Sequence, residues 1–277
     1  MEEIMQKYIT NNNNHYGFSS VNEFADYLEQ LKPYDSKRSD SSSDSGSSFS
    51  GTRSFEEAIS KCKYGDPDIK KLIDEQQISL GEINNVVNKI KTEYSLDVVG
   101  SVPHVPNAIL NIPQNMIKVT RRQVRNKIIN IFISLGANCH IDKEDMAKTA
   151  AKFAAAIDLL EKEGYRCNVF SGCLAGRSYS GNVGHVVKIK TDREPLNLSI
   201  MAFPMASPSM LRRLHFRVME GSPLDFTHDG YGSTIDDKVE LQKMVEHVTG
   251  LKNVAVLTIS KDNGLSIKDV SNRLRID

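Results

Sequence analysis

Cysteine is sparse: Cys62, Cys139, Cys167 and Cys173 are scattered along 277 residues and form no Cys-x-x-Cys pair. That pattern argues against a disulfide framework and a zinc ribbon, and it points to a reducing compartment. An excess of charge is also missing. The 35 basic residues balance 35 acidic ones, so no global field draws the chain to nucleic acid or to an anionic membrane. Any such attraction has to come from a local patch. Nothing approaches the roughly 18–20 apolar residues that span a bilayer. The first residues, MEEIMQKYITNNNNHYGF, lack the apolar core of a signal peptide. The expectation is a soluble cytoplasmic protein with no membrane contact.

The motifs of common chemistries are absent too. Residues 176–181, GRSYSG, have the composition of a nucleophile elbow but not its Gly-x-Ser-x-Gly order. Neither a P-loop nor a dinucleotide fingerprint occurs. The neighbours Cys139 and His140, and the pair Cys167 and Cys173, match no zinc spacing. His228 beside Asp229 is the one histidine–acid pairing worth inspection, and in a glycine-rich loop such a pair is ordinarily solvated. The reading is therefore a non-enzyme, with no catalytic residue, metal or cofactor.

What is present is a chain 39% hydrophobic, ample for a core. In 21–32, Val21, Phe24, Ala25, Leu28 and Leu31 share one helical face, with Ser20 as cap and Glu23 placed for a capping box. Residues 36–51 are serine-rich and predict a flexible linker. Ser54 and Glu57 open a second helix that Gly65 stops, and further helices are expected near 67–76 and 79–94. The three prolines of 100–113 predict an extended arm packed across a surface. From 116 onward apolar strands at 127–136, 166–175, 182–190 and 253–260 alternate with helices at 142–165, 207–220, 237–249 and 266–275. That rhythm predicts an α/β fold with a mainly parallel sheet flanked by helices, preceded by a small helical N-terminal region. The corresponding divisions are 1–35, 36–51, 52–115 and 116–277.

Two stretches carry a family resemblance. One is GTRSFEEA (51–58). The other is Gly100, Pro103, Val105, Pro106, Ala108 and Ile109, with Pro113 and Met116 following. With AAIDLLEKEGYRCNVF further on, they resemble a family of uncharacterised tailed-phage and prophage proteins. The C-terminal half distantly resembles a von Willebrand factor A-type domain, a three-layer fold that runs strand, long helix, strand. The helix-ending phrase is here Leu160, Glu161 and Gly164. That resemblance implies a divalent-cation site at the end of the first strand, in an Asp-x-Ser-x-Ser motif. The matching positions read Ser134, Leu135, Gly136, Ala137 and Asn138, so the aspartate is absent and a hydroxyl has become glycine. Hard cations want charged oxygen ligands. Ser134, Gly136 and Asn138 are thus expected to be a vestigial metal-site loop, with Asp225 or Asp229 as the loop acids that would have to compensate.

Two functions compete. The first is a non-enzymatic phage binding or scaffold protein that grips a protein partner through strand-end loops near 134–141, 171–181 and 222–235. The alternative is an accessory factor binding single-stranded DNA in phage replication or transcription. Its basis is Lys118, Arg121, Arg122, Arg125 and Lys127, a run without an acid; if helical, Arg121, Arg122 and Arg125 share a face. Arg212, Arg213 and Arg217 form a second basic run. No stacking aromatics are interleaved with the first.

Overall fold

The computed structural model describes residues 5–10, 13–32, 40–42, 47–79, 92–121, 127–137, 141–177, 181–222 and 233–276. Two strands, β1 (Met5–Thr10) and β2 (Asn13–Phe18), precede the helix expected after Ser20. That helix, α1 (Val21–Gln30), is capped as its sequence demands, with the Ser20 hydroxyl accepting from the Glu23 amide. The Glu23 carboxylate closes the box one residue early, on the amide and hydroxyl of Ser19. A 3-10 turn (Asp40–Ser42) and α2 (Ser47–Ser50) occupy part of the serine-rich segment. Then come α3 (Phe55–Tyr64) and α4 (Pro67–Ser79). Gly65 separates them at φ 88°, and a Cβ there would sit 2.1 Å from the carbonyl oxygen of Ser199. Only glycine fits.

The helix expected over 79–94 meets a different outcome. Residues 80–91 lie outside the described residues, and β3 (Thr92–Asp97) is a strand, as its alternation T-E-Y-S-L-D favours. The proline-rich segment that follows is not an extended arm laid on a surface. It forms β4 (Val102–Pro103) and α5 (Val105–Ile109), and β5 (Met116–Arg121) closes a three-stranded sheet in the order β3-β5-β4. The division expected between 115 and 116 falls inside this unit. The basic run begins as a strand and not as a helix, since its residues 118–121 pair within β5, while 122–126 lie outside the described residues.

The main sheet is built from β1, β2, β6 (Ile128–Ser134), β7 (Arg166–Arg177), β8 (Gly181–Lys190) and β9 (Val254–Thr258), in the order β1-β2-β8-β7-β6-β9. It is a mixed sheet, with three parallel ladders and two antiparallel ones. β2 with β8, β6 with β7 and β6 with β9 run parallel, whereas β1 with β2 and β7 with β8 run antiparallel. The physical reason lies in the connections: α6 (Lys143–Lys162) carries the chain over from β6 to β7, but only three residues separate β7 from β8.

Alternate residues of the strands feed two apolar layers. Ile131, Ile133, Val169, Cys173 and Val187 face the larger one. It includes α1, α3, α4, α6, α7 (Leu198–Ala206), a π-helical stretch (Met210–His215) and α8 (Phe216–Glu220). Phe132, Phe170, Leu174 and Val186 face α9 (Lys238–Thr249) on the other side. α10 (Ile259–Asp262) follows β9, and α11 (Ile267–Ile276) packs against α6. Helices on both faces of a central sheet make this a three-layer α/β fold. α6 is buried nearly all round because six of its buried residues are alanine, which lets its backbone approach its neighbours closely. At its end Glu161 holds the buried Lys190 ammonium at 2.5 Å, and the carbonyls of Cys167 and Thr191 complete the site at 3.0 Å each.

Candidate functional site

The C-terminal end of β6 gathers groups from three further places in the chain. Ser134 is fully buried, and its hydroxyl accepts from the Gly136 amide at 3.3 Å. The segment 233–235 adds itself to the end of β7, through Gly176 N to Ser233 O at 3.1 Å and Ile235 N to Leu174 O at 2.8 Å. This delivers Asp236 to the strand end. Its Oδ2 accepts from the Ser260 hydroxyl at 2.7 Å, and Lys261 donates to its main-chain oxygen at 2.6 Å. Oδ1 is buried without a partner. A Cβ built at position 136 would stand 2.1 Å from that Oδ1, so glycine is what admits the carboxyl. Burial pushes the Asp236 carboxyl above the usual range, with Ser260 and Lys261 pulling the other way.

The sequence reading looked for a compensating acid at Asp225 or Asp229, and both lie outside the described residues, as does Asn138. The acid that the fold brings to Gly136 is Asp236. Its sequence context, Ile-Asp-Asp, carries no sign of this, and its neighbour Asp237 caps α9. The described donors are one carboxyl and neutral hydroxyls, and no group of three or more His, Cys, Asp or Glu side chains comes together among the described residues. That set does not match what a hard divalent cation takes. Nor is Cys173 a nucleophile in waiting, because burial first, and Asp236 second, keep its thiol protonated. Cys62 and Cys167 are pushed up to about 12 by burial as well.

Gly136→Ala is expected to destabilise the fold by about 1–3 kcal/mol through this overpacking. Asp236→Ala removes the atom that clashes. Chemical denaturation of both single variants and the double should therefore show strong non-additivity; simple addition of the two effects would show that the carboxyl does not press on position 136.

Of the first basic run, the structure describes only part. Lys118 lies on β5 and pairs with Asp97 at 2.8 Å, and Lys127 is exposed just before β6. Arg121 ends β5, while Arg122 and Arg125 lie outside the described residues. The second basic run is not a surface at all. Arg212, Arg213 and Arg217 are buried, and their guanidinium groups bind main-chain carbonyls and a serine hydroxyl of the N-terminal half. A phosphate backbone cannot track them.

A feature that motif reasoning passed over is the small sheet. Its register pairs Tyr94 with Val119, and Leu96 with Ile117, which also faces Val102. Paired residues share a face, so these five form one apolar side. Ser95, Asp97 and Lys118 take the other. Tyr94 is 72% exposed and Leu96 46%, and α5 adds Ile109 at 75%. Ten of the fifteen large apolar side chains that stand exposed among the described residues fall between Tyr94 and Val119. Residues 98–117 contain no Asp, Glu, Lys or Arg.

A family described as "Domain of unknown function (DUF7192)" matches residues 5–269. No curated protein and no solved structure matches the chain. No described helix is long and apolar enough to cross a membrane.

Proposed function

We propose, for a chain that belongs to the DUF7192 family, a non-enzymatic binding role. The three-layer body is a scaffold, and the three-stranded arm β3-β5-β4 with α5 docks a protein partner. The observation that carries this reading is the arm's uncovered apolar face. A soluble fold rarely leaves so many neighbouring apolar side chains in water unless something covers them. The partner's chemistry follows from the arm's own: an apolar, uncharged protein surface, since 98–117 offers no charge to attract an acidic or basic one. The strand, long helix, strand order of β6, α6 and β7 supports the A-type resemblance as part of the proposal, with the strand-end loops as a second contact region. The phage origin enters on the same footing, from the sequence motifs.

A photo-crosslinking side chain at Ile109 is expected to give protein adducts in cells expressing the chain, at least tenfold above the same probe at Val239 on α9, which is also exposed. Equal yields at the two positions would defeat the docking role of the arm. The nucleic-acid reading has a separate test, a titration with single- and double-stranded DNA at two salt concentrations. Tight, salt-steep binding lost on changing Arg121, Arg122 and Arg125 to Glu would put that reading in its place.

A further inference from the structure

We infer that the occupant of the arm's apolar face is a second copy of this chain, an inference that rests on the docking role proposed above. Three observations converge on it. The first is geometric. A three-stranded antiparallel sheet with one apolar face (Tyr94, Leu96, Val102, Ile117, Val119) and one polar face is half of a sandwich. Sheets complete such a sandwich by meeting face to face about 10 Å apart. The face stands open in the single chain, with Tyr94 and Val102 both more than half exposed.

The second is electrostatic. A twofold dimer applies the same patch to itself, so a patch with charge of one sign would repel its own copy. The run 98–117 has none. The nearest cation, Lys118, lies on the opposite face and is neutralised by Asp97 at 2.8 Å. The whole chain carries a formal net charge of zero at pH 7, so two copies approach without long-range repulsion.

The third is area. Ten large apolar side chains of the arm, exposed by 37% to 75%, together offer on the order of 1,000 Å², four of them on the sheet face and six in α5 and the turns beside it. Each partner of a stable interface contributes about 800 Å². The arm reaches the size of a specific interface when α5 and the adjoining turns are engaged together with the sheet face, and it does so without recruiting the strand-end loops.

The experiment is light scattering on the eluting full chain from 1 to 100 µM, for the wild type and for the double variant Leu96→Asp, Ile109→Asp, with circular dichroism to confirm that both are folded. Both positions are exposed, so the substitutions spare the core. The wild type is expected at twice the 30.9 kDa of one chain, dissociating on dilution and indifferent to salt between 0.1 and 1 M. The variant is expected to stay at one chain's mass, with self-association weakened at least a hundredfold. A wild type that remains a single chain at 100 µM overturns the second-copy inference, and so does a dimer that survives the double variant. The fluorescent apolar probe bis-ANS then separates that failure from failure of the docking role itself. If the single chain binds the probe and the variant does not, the face is open and takes a different protein. If neither binds it, the face is covered by its own chain and both readings fall.

Discussion

Arg213→Met is expected to cost on the order of 3–5 kcal/mol of folding stability, although the side chain lies far from any proposed contact surface. Arg213 is fully buried, on the π-helical stretch. Its Nη1 donates to the carbonyl of Ser41 at 3.1 Å, and its Nη2 donates to those of Thr52 and Arg53 at 2.9 and 3.0 Å. These carbonyls lie within and just after the serine-rich segment, which is expected from its sequence to be a free linker and is instead, in its described parts, stitched to the core. Glu220 acts from the same helical run, accepting from the Ser41 amide at 2.9 Å and hydroxyl at 2.5 Å. Arg212 donates to the Phe49 carbonyl at 2.6 Å and lies over its ring, while Arg217 lies over Phe55. Methionine fills similar volume, so the loss comes from orphaned groups: three carbonyls lose a charged donor, each worth about 1–3 kcal/mol when left unsatisfied. The segment should loosen together with the global loss. Urea unfolding gives the first quantity, and trypsin cleavage at Lys37, Arg38 or Arg53 gives the second. An unfolding free energy within 0.5 kcal/mol of wild type, with unchanged cleavage, would show that this guanidinium holds nothing.

Much of the body is legible in the residues because its signals are local. Ser20 and Ser54 announce their helices, and Gly65 stops one. The β-branched strand Ile128–Ser134 is buried as its composition demands, except at its exposed first residue and the half-buried Asn130. What escaped depends on partners distant in sequence. β1 and β2 were missed because NNHYGF looks polar; in the fold Asn14 donates to the Ser222 hydroxyl and His15 shares a hydrogen bond with Asn182, both at 2.8 Å. Those partners stand where water would otherwise be, and hydropathy cannot see them. Arg212, Arg213 and Arg217 have the spacing of an exposed basic face, yet all but one of their carbonyl partners lie 160 to 186 residues away in the sequence. Spacing reports which residues share a face and is silent on what covers it. The same limit applied to 98–117. Its prolines told of irregular backbone, and only the register of β5 with β3 and β4 showed that its apolar residues line up on one open side.

The second large effect is a loss of stability in mild acid. His185 on β8 and His215 on the π-helical stretch are fully buried, with their Nδ1 atoms 2.9 Å apart. One nitrogen carries the bridging proton and the other accepts it. Phe24 stacks flat on His185 with ring centroids 4.8 Å apart, and neither Nε2 has a partner. Burial holds His215 down to about 3, and burial together with His215 holds His185 well below the ordinary 6.5. The unfolded chain therefore binds more protons than the folded one as soon as the pH drops below about 6.5. The stability these neutral rings permit is fully present above that value and is lost below it, at up to about 1.4 kcal/mol per pH unit for each ring. Between pH 7.5 and 5.0 the pair should cost the fold about 4 kcal/mol. His15, lowered chiefly by burial, adds in the same direction. Asp236 acts in the opposite sense, since its raised carboxyl holds a proton more readily in the folded state. Carboxylates with lowered values, such as Glu57 and Glu194, lose stability only nearer pH 4, so the window from 6.5 to 5.0 belongs to the imidazoles. Urea midpoints measured across it should fall steeply for the wild type. His215→Asn keeps a hydrogen-bonding atom near the Nδ1 position but cannot take up the proton, and it should roughly halve the slope while lowering stability at pH 7.5. A flat wild-type profile over that window, or a variant with the wild-type slope, would mean that this buried pair does not set the acid limit of the fold.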